Sequence, residues 1–233
     1  MSTKKNVYSS LKTKLKMKFI GNEEELSDIT KQNDDNNNVI EYKIIIVGSN
    51  LTGKTSFCNR FILDQFDLEI EPSTETTCYI KTIILFEKEI KLYLLDIETI
   101  PITPLTESEE KELYNDINGI ILIYDITNYE SFEKIEKILK KVKEKCNWNP
   151  KIPIIMIGNK NDLKFLRCID FANAQSKANK LGIDLKEINC NKDPEVVHNV
   201  MKNLIARIYY NNSNTEEKEI IKNKTVEFLK KKV

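Results

Sequence analysis

The sequence predicts a three-layer α/β fold, with helices on both faces of a mostly parallel sheet. Apolar runs of strand length recur along the chain, and segments with apolar residues at helical spacing separate them. The connecting segments are short and polar, as expected where strands and helices alternate. Ligands of such sheets bind beyond the carboxyl ends of the strands, so the loops there are the expected place for a functional site.

Six segments have the composition of strands and predict a six-stranded sheet with one antiparallel strand. They are KIIIVG (43–48), YIKTIILF (79–86), IKLYLL (90–95), GIILIYD (119–125), IPIIMIG (152–158) and IDLKEI (183–188). The runs that are apolar throughout are typical of strands buried on both faces. The second and third segments flank a short charged turn at 87–89, which predicts an antiparallel hairpin.

Four segments have the periodicity of helices. They are residues 54–63, 131–145, 170–181 and 194–210. In the second of them, five apolar residues from Phe132 to Val142 fall on one helical face, and lysines and glutamates take most of the rest. A face of this kind predicts packing against the sheet.

Charge and composition divide the 233 residues into three parts. Within residues 1–41, the first twenty positions include six lysines, and an acidic, asparagine-rich stretch follows. This composition predicts a disordered arm. Residues 42–210 hold the alternating pattern and predict one domain. Residues 211–233 form a charged tail, in which a helix is expected over 216–232.

The composition argues against several classes of function. Lys and Arg number 36 and Asp and Glu number 36, so binding of nucleic acid by bulk electrostatics is not expected. No apolar run approaches the ~20 residues that span a bilayer. The five cysteines form no C-x-x-C pair and His198 is the single histidine, which argues against a zinc site.

The strongest motif is GSNLTGKT (residues 48–55, the glycine loop), which fits G-x-x-x-x-G-K-[ST] between a predicted strand and a predicted helix. A chance glycine turn is the alternative. Backbone N–H groups of such a loop point at a phosphate, and the helix N-terminus adds partial positive charge. Lys54 would then reach the terminal phosphates, and the Thr55 hydroxyl would bind Mg²⁺. The residues expected to contact the nucleotide here are Asn50, Leu51, Thr52, Gly53, Lys54, Thr55 and Ser56.

A second motif, Asn159-Lys160-Asn161-Asp162 (the NKND loop), follows the fifth predicted strand. The Asp162 carboxylate can accept two hydrogen bonds from the N1–H and 2-amino group of guanine, which adenine cannot supply. Asn159, Lys160, Asp162 and Leu163 are therefore the predicted base-binding residues. Asp96 ends a strand and fits a second acidic group for Mg²⁺. Phe66 is predicted either to pack against the base or to belong to the core.

These motifs, with YDITNYESF (124–132) and PIIMIGNKNDL (153–163), resemble small GTPases of the Ras superfamily, and most closely the Rab branch, over residues 42–210. The resemblance implies the P-loop NTPase (small G-protein) fold, GTP or GDP with Mg²⁺ as ligands, and effector and regulator proteins as partners. It also implies a monomeric GTP/GDP switch in vesicle trafficking or signalling, in the cytoplasm or peripheral to an intracellular membrane.

The resemblance assigns two further segments. Family spacing places Ser73 as the switch residue that binds Mg²⁺, and Thr74 is the alternative if the loop shifts by one position. The family's E-T-S-A-K segment aligns with residues 187–191, which adds Asn189, Cys190 and Asn191 to the expected base contacts, mainly through backbone N–H groups.

The chain departs from the family where hydrolysis occurs. The family sequence D-x-A-G-Q is replaced by residues 96–100, with Thr99 at the glycine position and Ile100 at the glutamine position. Ile100 cannot orient a water molecule, so slow or partner-dependent hydrolysis is expected and no catalytic residue is assigned. Another residue, such as Glu107, or a partner could supply the missing group. The rival hypothesis is a pseudo-GTPase scaffold that holds one nucleotide permanently, while Asn159 and Asp162 disfavour an ATP-using enzyme.

The ends of the sequence bear on membrane attachment. No cysteine follows Cys190 and the chain begins Met-Ser, so neither a prenyl nor a myristoyl anchor is expected. The N-terminal lysines could give weak electrostatic contact with anionic lipid, at about 1 kcal/mol each. A solvated arm is the favoured interpretation.

Overall fold

The computed structural model describes residues 17–21, 39–67, 76–97, 106–219 and 221. Its strands are β1 (Lys18–Ile20), β2 (Ile40–Val47), β3 (Thr77–Leu85), β4 (Lys88–Asp96), β5 (Gly119–Asp125), β6 (Ile154–Asn159) and β7 (Asp184–Glu187). Its helices are α1 (Lys54–Leu63), α2 (Glu107–Tyr114), α3 (Tyr129–Glu133), α4 (Ile135–Lys145), α5 (Phe171–Leu181) and α6 (Pro194–Asn212), and a 3₁₀ turn spans Lys164–Leu166. A further short helical stretch covers 215–219.

The strands form a single sheet in the order β1-β3-β4-β2-β5-β6-β7. Strands β2, β4, β5, β6 and β7 are parallel, β3 is antiparallel to β4, and β1 runs parallel to β3. The predicted α/β fold is confirmed, and the predicted strand count was wrong by one. The additional strand, β1, lies within the segment 1–41 that was expected to be a disordered arm. β1 has three residues, which are too few to show a periodic pattern, and they lie in a lysine-rich part of the sequence.

Helices cover both faces of the sheet, because side chains alternate along each strand. Ile44 and Ile46 of β2 face α1 and α6, whereas Ile45 and Val47 face α2, α3, α4 and α5. Most core residues are buried isoleucines, leucines and tyrosines. This arrangement gives the three layers that the sequence predicts.

Two local features differ from the sequence prediction. The β3–β4 hairpin turns at Phe86 and Glu87, which both have left-handed backbone angles (φ 50° and 63°), as a two-residue type I′ turn requires. The turn therefore begins one residue earlier than the predicted turn at 87–89 and has two residues instead of three. The helix predicted at 131–145 is two helices, α3 and α4, separated by Lys134.

Helix α2 was not predicted, although a local signal exists. The backbone N–H of Glu109 donates to the Thr106 hydroxyl, and the Thr106 N–H donates to the Glu109 carboxylate at 2.8 Å. This reciprocal pair is a capping box, and T-x-x-E is its sequence signature.

The cysteines divide by exposure. Cys58, Cys78, Cys146 and Cys190 are buried, and Cys168 is exposed. Burial raises the pKa of all four buried thiols, to about 12 for Cys190. Thiolate formation is therefore disfavoured at those four positions.

Candidate functional site

The glycine loop joins the end of β2 to the start of α1, and two of its residues cannot carry a side chain. A Cβ at Gly48 would lie 2.1 Å from the carbonyl oxygen of Ile123 on the neighbouring strand. Gly53 has φ 94°, and a Cβ there would lie 2.1 Å from Nδ2 of Asn159. The two glycines of the motif thus let the loop pass between β5 and the NKND loop.

The N-terminus of α1 is open for an anion. Gly53 occupies the cap position and offers no side-chain hydrogen bond, and the first turn contains no acidic residue. The N–H groups of Lys54, Thr55 and Ser56 lie in this first turn, where no intrahelical carbonyl is available to them. The N–H groups at a helix N-terminus and the helix dipole together favour a phosphate at this position.

The Lys54 side chain is held inside the loop rather than in solvent. Lys54 is 5% exposed, and Nζ donates to the carbonyl oxygens of Gly48 and Ser49, each at 3.3 Å. Thr52 is also buried and its hydroxyl donates to Ser49 O at 2.8 Å. Asn50 and Leu51 lie on the outside of the loop and are exposed. A loop that curls around an ammonium group is suited to a polyphosphate.

Two oxygen ligands lie together beside this loop. The Thr55 hydroxyl donates to Oδ2 of Asp96 at 2.6 Å, and Asp96 is 2% exposed at the end of β4. Hydroxyl and carboxylate oxygens are the ligands that Mg²⁺ prefers, and Mg²⁺ completes its shell with phosphate and water. The predicted third ligand, Ser73, and its alternative Thr74 lie outside the described residues, as do Thr99 and Ile100.

The NKND loop follows β6 and contacts the glycine loop. Nδ2 of Asn159 donates to the carbonyl oxygen of Thr52 at 3.0 Å. Lys160 has φ 65°, and its Nζ lies 2.7 Å from Oδ2 of Asp125. Asp162 is half-buried, and none of the described residues donates a hydrogen bond to its carboxylate. This carboxylate is the free acceptor that a guanine edge requires.

Arg167 holds the NKND loop against β7. Its guanidinium donates to both carboxylate oxygens of Glu187, at 2.7 Å each, and to Oδ1 of Asn161 at 3.0 Å. The hydrogen bonds that Arg167 donates to Glu187 raise the pKa of Arg167 above its ordinary value. Bidentate pairing of this kind fixes both partners in one orientation.

Residues 189–191 form the remaining wall of the predicted base site. Asn189 is buried, and its Oδ1 accepts from the N–H of Asn191 at 2.9 Å. Arg60 of α1 donates from Nε to Cys190 O at 2.8 Å and from a terminal nitrogen to Asn191 O at 3.1 Å. The guanidinium carbon of Arg60 lies 5.8 Å from the Phe66 ring centroid.

Phe66 and Leu163 lie beside this wall. The Phe66 ring is half-buried and packs against the α1/α6 core. Arg60 lies between this ring and the 189–191 segment. The position of Phe66 is therefore compatible with both predicted roles, packing in the core and packing against the base. Leu163 is 38% exposed, and its N–H donates to Lys160 O at 2.9 Å.

Two shielded polar atoms test whether a nucleotide fits. Oγ of Ser49 and Oδ1 of Asn159 are inaccessible to solvent and have no hydrogen-bond partner among the described residues. Buried polar atoms are normally paired, so unpaired ones need an explanation. One lies in the glycine loop and the other in the NKND loop, where a nucleotide would lie. The site therefore fits the group that its two motifs imply.

The family model described as the Ras family matches residues 43–210, which is most of the chain. The chain belongs to the Ras family of small GTPases. The GTP-binding assignment made from the glycine and NKND loops agrees with this membership.

Relatives of the Ras family match over much of their length. "Ras-related protein O-RAL" of Diplobatis ommata is 26% identical over 193 residues, which cover 78% of this chain and 88% of the relative. "Ras-related protein ralB-B" of Xenopus laevis is 25% identical, over 67% of this chain and 74% of the relative. "Ras-related protein RabZ" of Dictyostelium discoideum is 30% identical, over 64% and 63%. Since both Ral and Rab names occur, the Rab branch stays a prediction.

The described helices include none that is long and apolar enough to cross a bilayer.

One buried lysine was not singled out by the sequence. Lys43 of β2 is 3% exposed, and its Nζ donates to Glu112 O at 2.8 Å and Asn115 O at 3.0 Å. Burial lowers the pKa of Lys43 to about 8. A cation at the C-terminus of α2 satisfies carbonyls that the helix itself leaves unpaired. Lys43 thereby anchors the C-terminal end of α2.

The structure brings the central predicted residues together and adds others. Lys54, Thr55 and Asp96 meet at one end of the sheet, and Asn159 contacts their loop. The positioning residues that the sequence analysis missed are Lys43, Asp125, Arg167 and Glu187. Their partners are distant in the sequence, so no local pattern marks them.

Proposed function

We propose that this Ras-family chain binds GTP and GDP with Mg²⁺ and acts as a GTP/GDP switch whose hydrolysis is slow or depends on a partner. Effector and regulator proteins would read the bound nucleotide through the switch segments. We extend the proposal to a role in intracellular trafficking or signalling, which rests on the family resemblance alone.

One observation carries the proposal: the Asn159–Thr52 hydrogen bond ties the predicted base site to the predicted phosphate site. The same loop presents Lys54 and, at its end, the Thr55–Asp96 pair. A purine nucleotide with Mg²⁺ carries a base, phosphates and a cation on one molecule. The arrangement is therefore best explained by one ligand that contacts all of these groups.

The roles of the residues follow from their chemistry. The N–H groups at the start of α1 and the Lys54 ammonium would bind phosphate oxygens, because both carry positive charge. Thr55 and Asp96 would hold Mg²⁺, which neutralises charge on the phosphates when it is bound. Asp162 would accept from the guanine edge, and Arg167 would keep the NKND loop in place.

The hydrolysis proposal rests on two sequence positions. Thr99 and Ile100 stand where the family has glycine and glutamine. An isoleucine side chain has neither donor nor acceptor, so it cannot orient the attacking water. Loss of one such positioned group typically lowers a rate by ~10²–10³. A partner that inserts a polar side chain would restore the rate.

The same two positions favour a second candidate, a pseudo-GTPase scaffold. In that case the nucleotide would be retained permanently and would serve the stability of the fold. Nucleotide exchange separates the candidates, since a switch releases GDP and a scaffold does not.

The first experiment identifies the ligand. Protein purified without added nucleotide is denatured, and the released nucleotide is separated by chromatography. We expect GDP or GTP, and saturable binding of both in the presence of Mg²⁺ after stripping. No saturable binding of either nucleotide would overturn the proposal.

The second experiment tests the metal pair and the chemistry. Thr55→Ala should remove the dependence of GDP affinity on Mg²⁺, and Thr55→Ser should restore it because serine keeps the hydroxyl. Single-turnover GTP hydrolysis should be at least ~10²-fold slower than in Ras-family proteins that have the glutamine. Hydrolysis at their rate would contradict the argument from Ile100.

A further inference from the structure

One arginine of α1 is bonded to the far wall of the predicted base site. Nε of Arg60 donates to Cys190 O at 2.8 Å, and Nη2 donates to Asn191 O at 3.1 Å. Nη1 donates to Asp64 O at 2.9 Å, at the end of the same helix. The Arg60 side chain is 12% exposed. A guanidinium bonded to three carbonyls is held in one orientation, because its planar donors are fixed relative to each other.

The segment that carries two of these carbonyls leaves one backbone donor over. The N–H groups of Asn191 and Lys192 both donate to Oδ1 of Asn189, at 2.9 and 3.3 Å. The carbonyl of Asn189 accepts from the N–H of Asp193 at 3.1 Å. Within the part of the chain that the structure describes, no group accepts from the N–H of Cys190, although Cys190 is 2% exposed. A buried N–H without a partner is rare, so this donor is expected to serve a ligand.

Arg60 holds the chain on one side of this donor. The peptide unit before Cys190 is fixed through Asn189 O, and the unit after it is fixed through the bond from Arg60 to Cys190 O. Peptide units are planar, so fixing both of them leaves Cys190 little freedom to rotate between them. Without Arg60, the second unit would lose the donor that holds its carbonyl.

The same guanidinium contacts the predicted aromatic of the base site. Its carbon atom lies 5.8 Å from the Phe66 ring centroid, within the ~6 Å at which an aromatic face attracts a cation. Phe66 follows α1, whereas residues 189–191 follow β7. Arg60 thereby joins two predicted base contacts that come from different elements of the fold.

We propose that Arg60 is a positioning residue of the base site, which keeps the Cys190 N–H available to a base oxygen and keeps the Phe66 ring beside it. This role rests on the proposed binding of guanine nucleotides and adds a residue that sets how long they stay bound. Guanine presents a carbonyl oxygen where adenine presents an amino group, so a fixed N–H donor at this place favours guanine.

The role of Arg60 predicts a difference between the two ends of the nucleotide. Among the described residues, the hydrogen bonds of the guanidinium all go to Asp64 and to the 190–191 carbonyls, and none goes to the glycine loop. Loss of Arg60 should therefore weaken binding of the base and leave binding of the phosphates unchanged. A residue that merely stabilised the fold would affect both ends alike.

The test compares the full-length wild type with Arg60→Met, which keeps an unbranched side chain and removes its donors. With Mg²⁺ present, a fluorescent GDP analogue should dissociate at least ~10-fold faster from Arg60→Met. Inorganic pyrophosphate, which has no base, should bind both proteins with equal affinity in competition. Arg207→Met is the matched control, because its guanidinium pairs with Asp184 at the N-terminal end of β7, and it should release GDP as the wild type does.

Two further variants make the test independent of one substitution. Phe66→Leu should also speed release, and the double variant with Arg60→Met should show less than the product of the two effects, since both changes loosen one contact. Arg60→Lys replaces Arg60→Met if the latter does not fold. One ammonium group cannot replace the planar fork at both carbonyls, so Arg60→Lys should release GDP faster as well.

The outcomes separate this role from the proposed function. Release at the wild-type rate from a folded Arg60 variant, or equal losses of GDP and pyrophosphate binding, would overturn the role of Arg60 and leave GDP binding standing. Fully multiplicative effects of the Arg60 and Phe66 changes would overturn it too. A wild-type protein that takes up no GDP would overturn the role and the proposed function together.

Discussion

The side-chain amide of Asn159 donates to the carbonyl oxygen of Thr52 at 3.0 Å, so the end of β6 is bonded to the glycine loop 107 positions away. Both residues are almost completely buried. The contact makes the two halves of the proposed nucleotide site one unit, and it gives the first prediction.

Asn159→Ala leaves the buried Thr52 carbonyl without this donor, which typically costs about 1–3 kcal/mol. We expect the unfolding free energy of the nucleotide-free protein to fall by that amount and GDP affinity to fall at least about tenfold. Urea denaturation and calorimetric titration measure the two quantities. Asn199→Ala, at an exposed position of α6, is the control. Wild-type GDP affinity in Asn159→Ala would show that the contact does not organise the site.

Base selectivity should depend on Asp162. Its half-buried carboxylate accepts no hydrogen bond from the described residues, so a guanine edge would be its partner. Asp162→Ala should remove the preference for GDP over ADP, because only guanine offers the paired donors. Competition between the two nucleotides for a labelled GDP analogue measures the preference. Asp170→Ala, at the exposed start of α5, should keep it. If Asp162→Ala retains the preference, the base assignment is wrong.

Arg167 should govern how long the nucleotide stays bound. Arg167→Lys keeps the positive charge but cannot bind both oxygens of Glu187 and Oδ1 of Asn161 together. We expect GDP to dissociate faster from Arg167→Lys, with the guanine preference unchanged because Asp162 is intact. Stopped-flow release of a fluorescent GDP analogue measures the rate. Glu187→Gln should have a similar effect, and the double variant should show less than the sum, since both changes break one interaction. Full additivity would contradict this account.

Lys43 should give the protein a distinctive pH dependence. Its pKa is about 8 in the folded chain and has the ordinary value of 10.5 when unfolded. Between these values the unfolded chain holds more protons, so the contribution of Lys43 to stability rises with pH through that window. Neutral Lys43 still has N–H donors for the carbonyls of Glu112 and Asn115.

The comparison of the wild type with Lys43→Met isolates this effect, because other groups titrate in both proteins. Near pH 7.5 the variant should be no more stable than the wild type. Two carbonyls lose their donor in the variant, and the removal of a buried charge offsets part of that loss. From pH 8 to 10 the wild type should gain about 2–3 kcal/mol relative to the variant. Urea denaturation across this range measures the difference. A difference that is flat or falls with pH would disprove the burial argument.

The parts of the fold that could be predicted are those with a local pattern. β5 has the predicted bounds because it is a continuous apolar run of strand length, and α1 has them because its apolar residues lie at helical spacing. β1 could not be predicted, because three residues carry no period and its pairing depends on β3. Helix α2 could have been found from Thr106 and Glu109, which form the capping box.

The candidate site divides in the same way. The glycine loop and the NKND loop are continuous in sequence, so their chemistry is visible without a structure. The bonds that position them join distant residues: Asn159 to Thr52, and Arg167 to Glu187. Those bonds depend on the order of the strands in the sheet, which no local pattern specifies.

The distribution of the cysteines offers a practical route into all of these measurements. Cys168 is the exposed cysteine, and its backbone N–H donates to Ile126 O at 3.0 Å. It directly follows Arg167, the arginine that holds the NKND loop. The other four sulfur atoms are enclosed by the core. A maleimide dye added at neutral pH should therefore attach at Cys168 alone, so the natural chain carries its own fluorescent reporter position without any engineering.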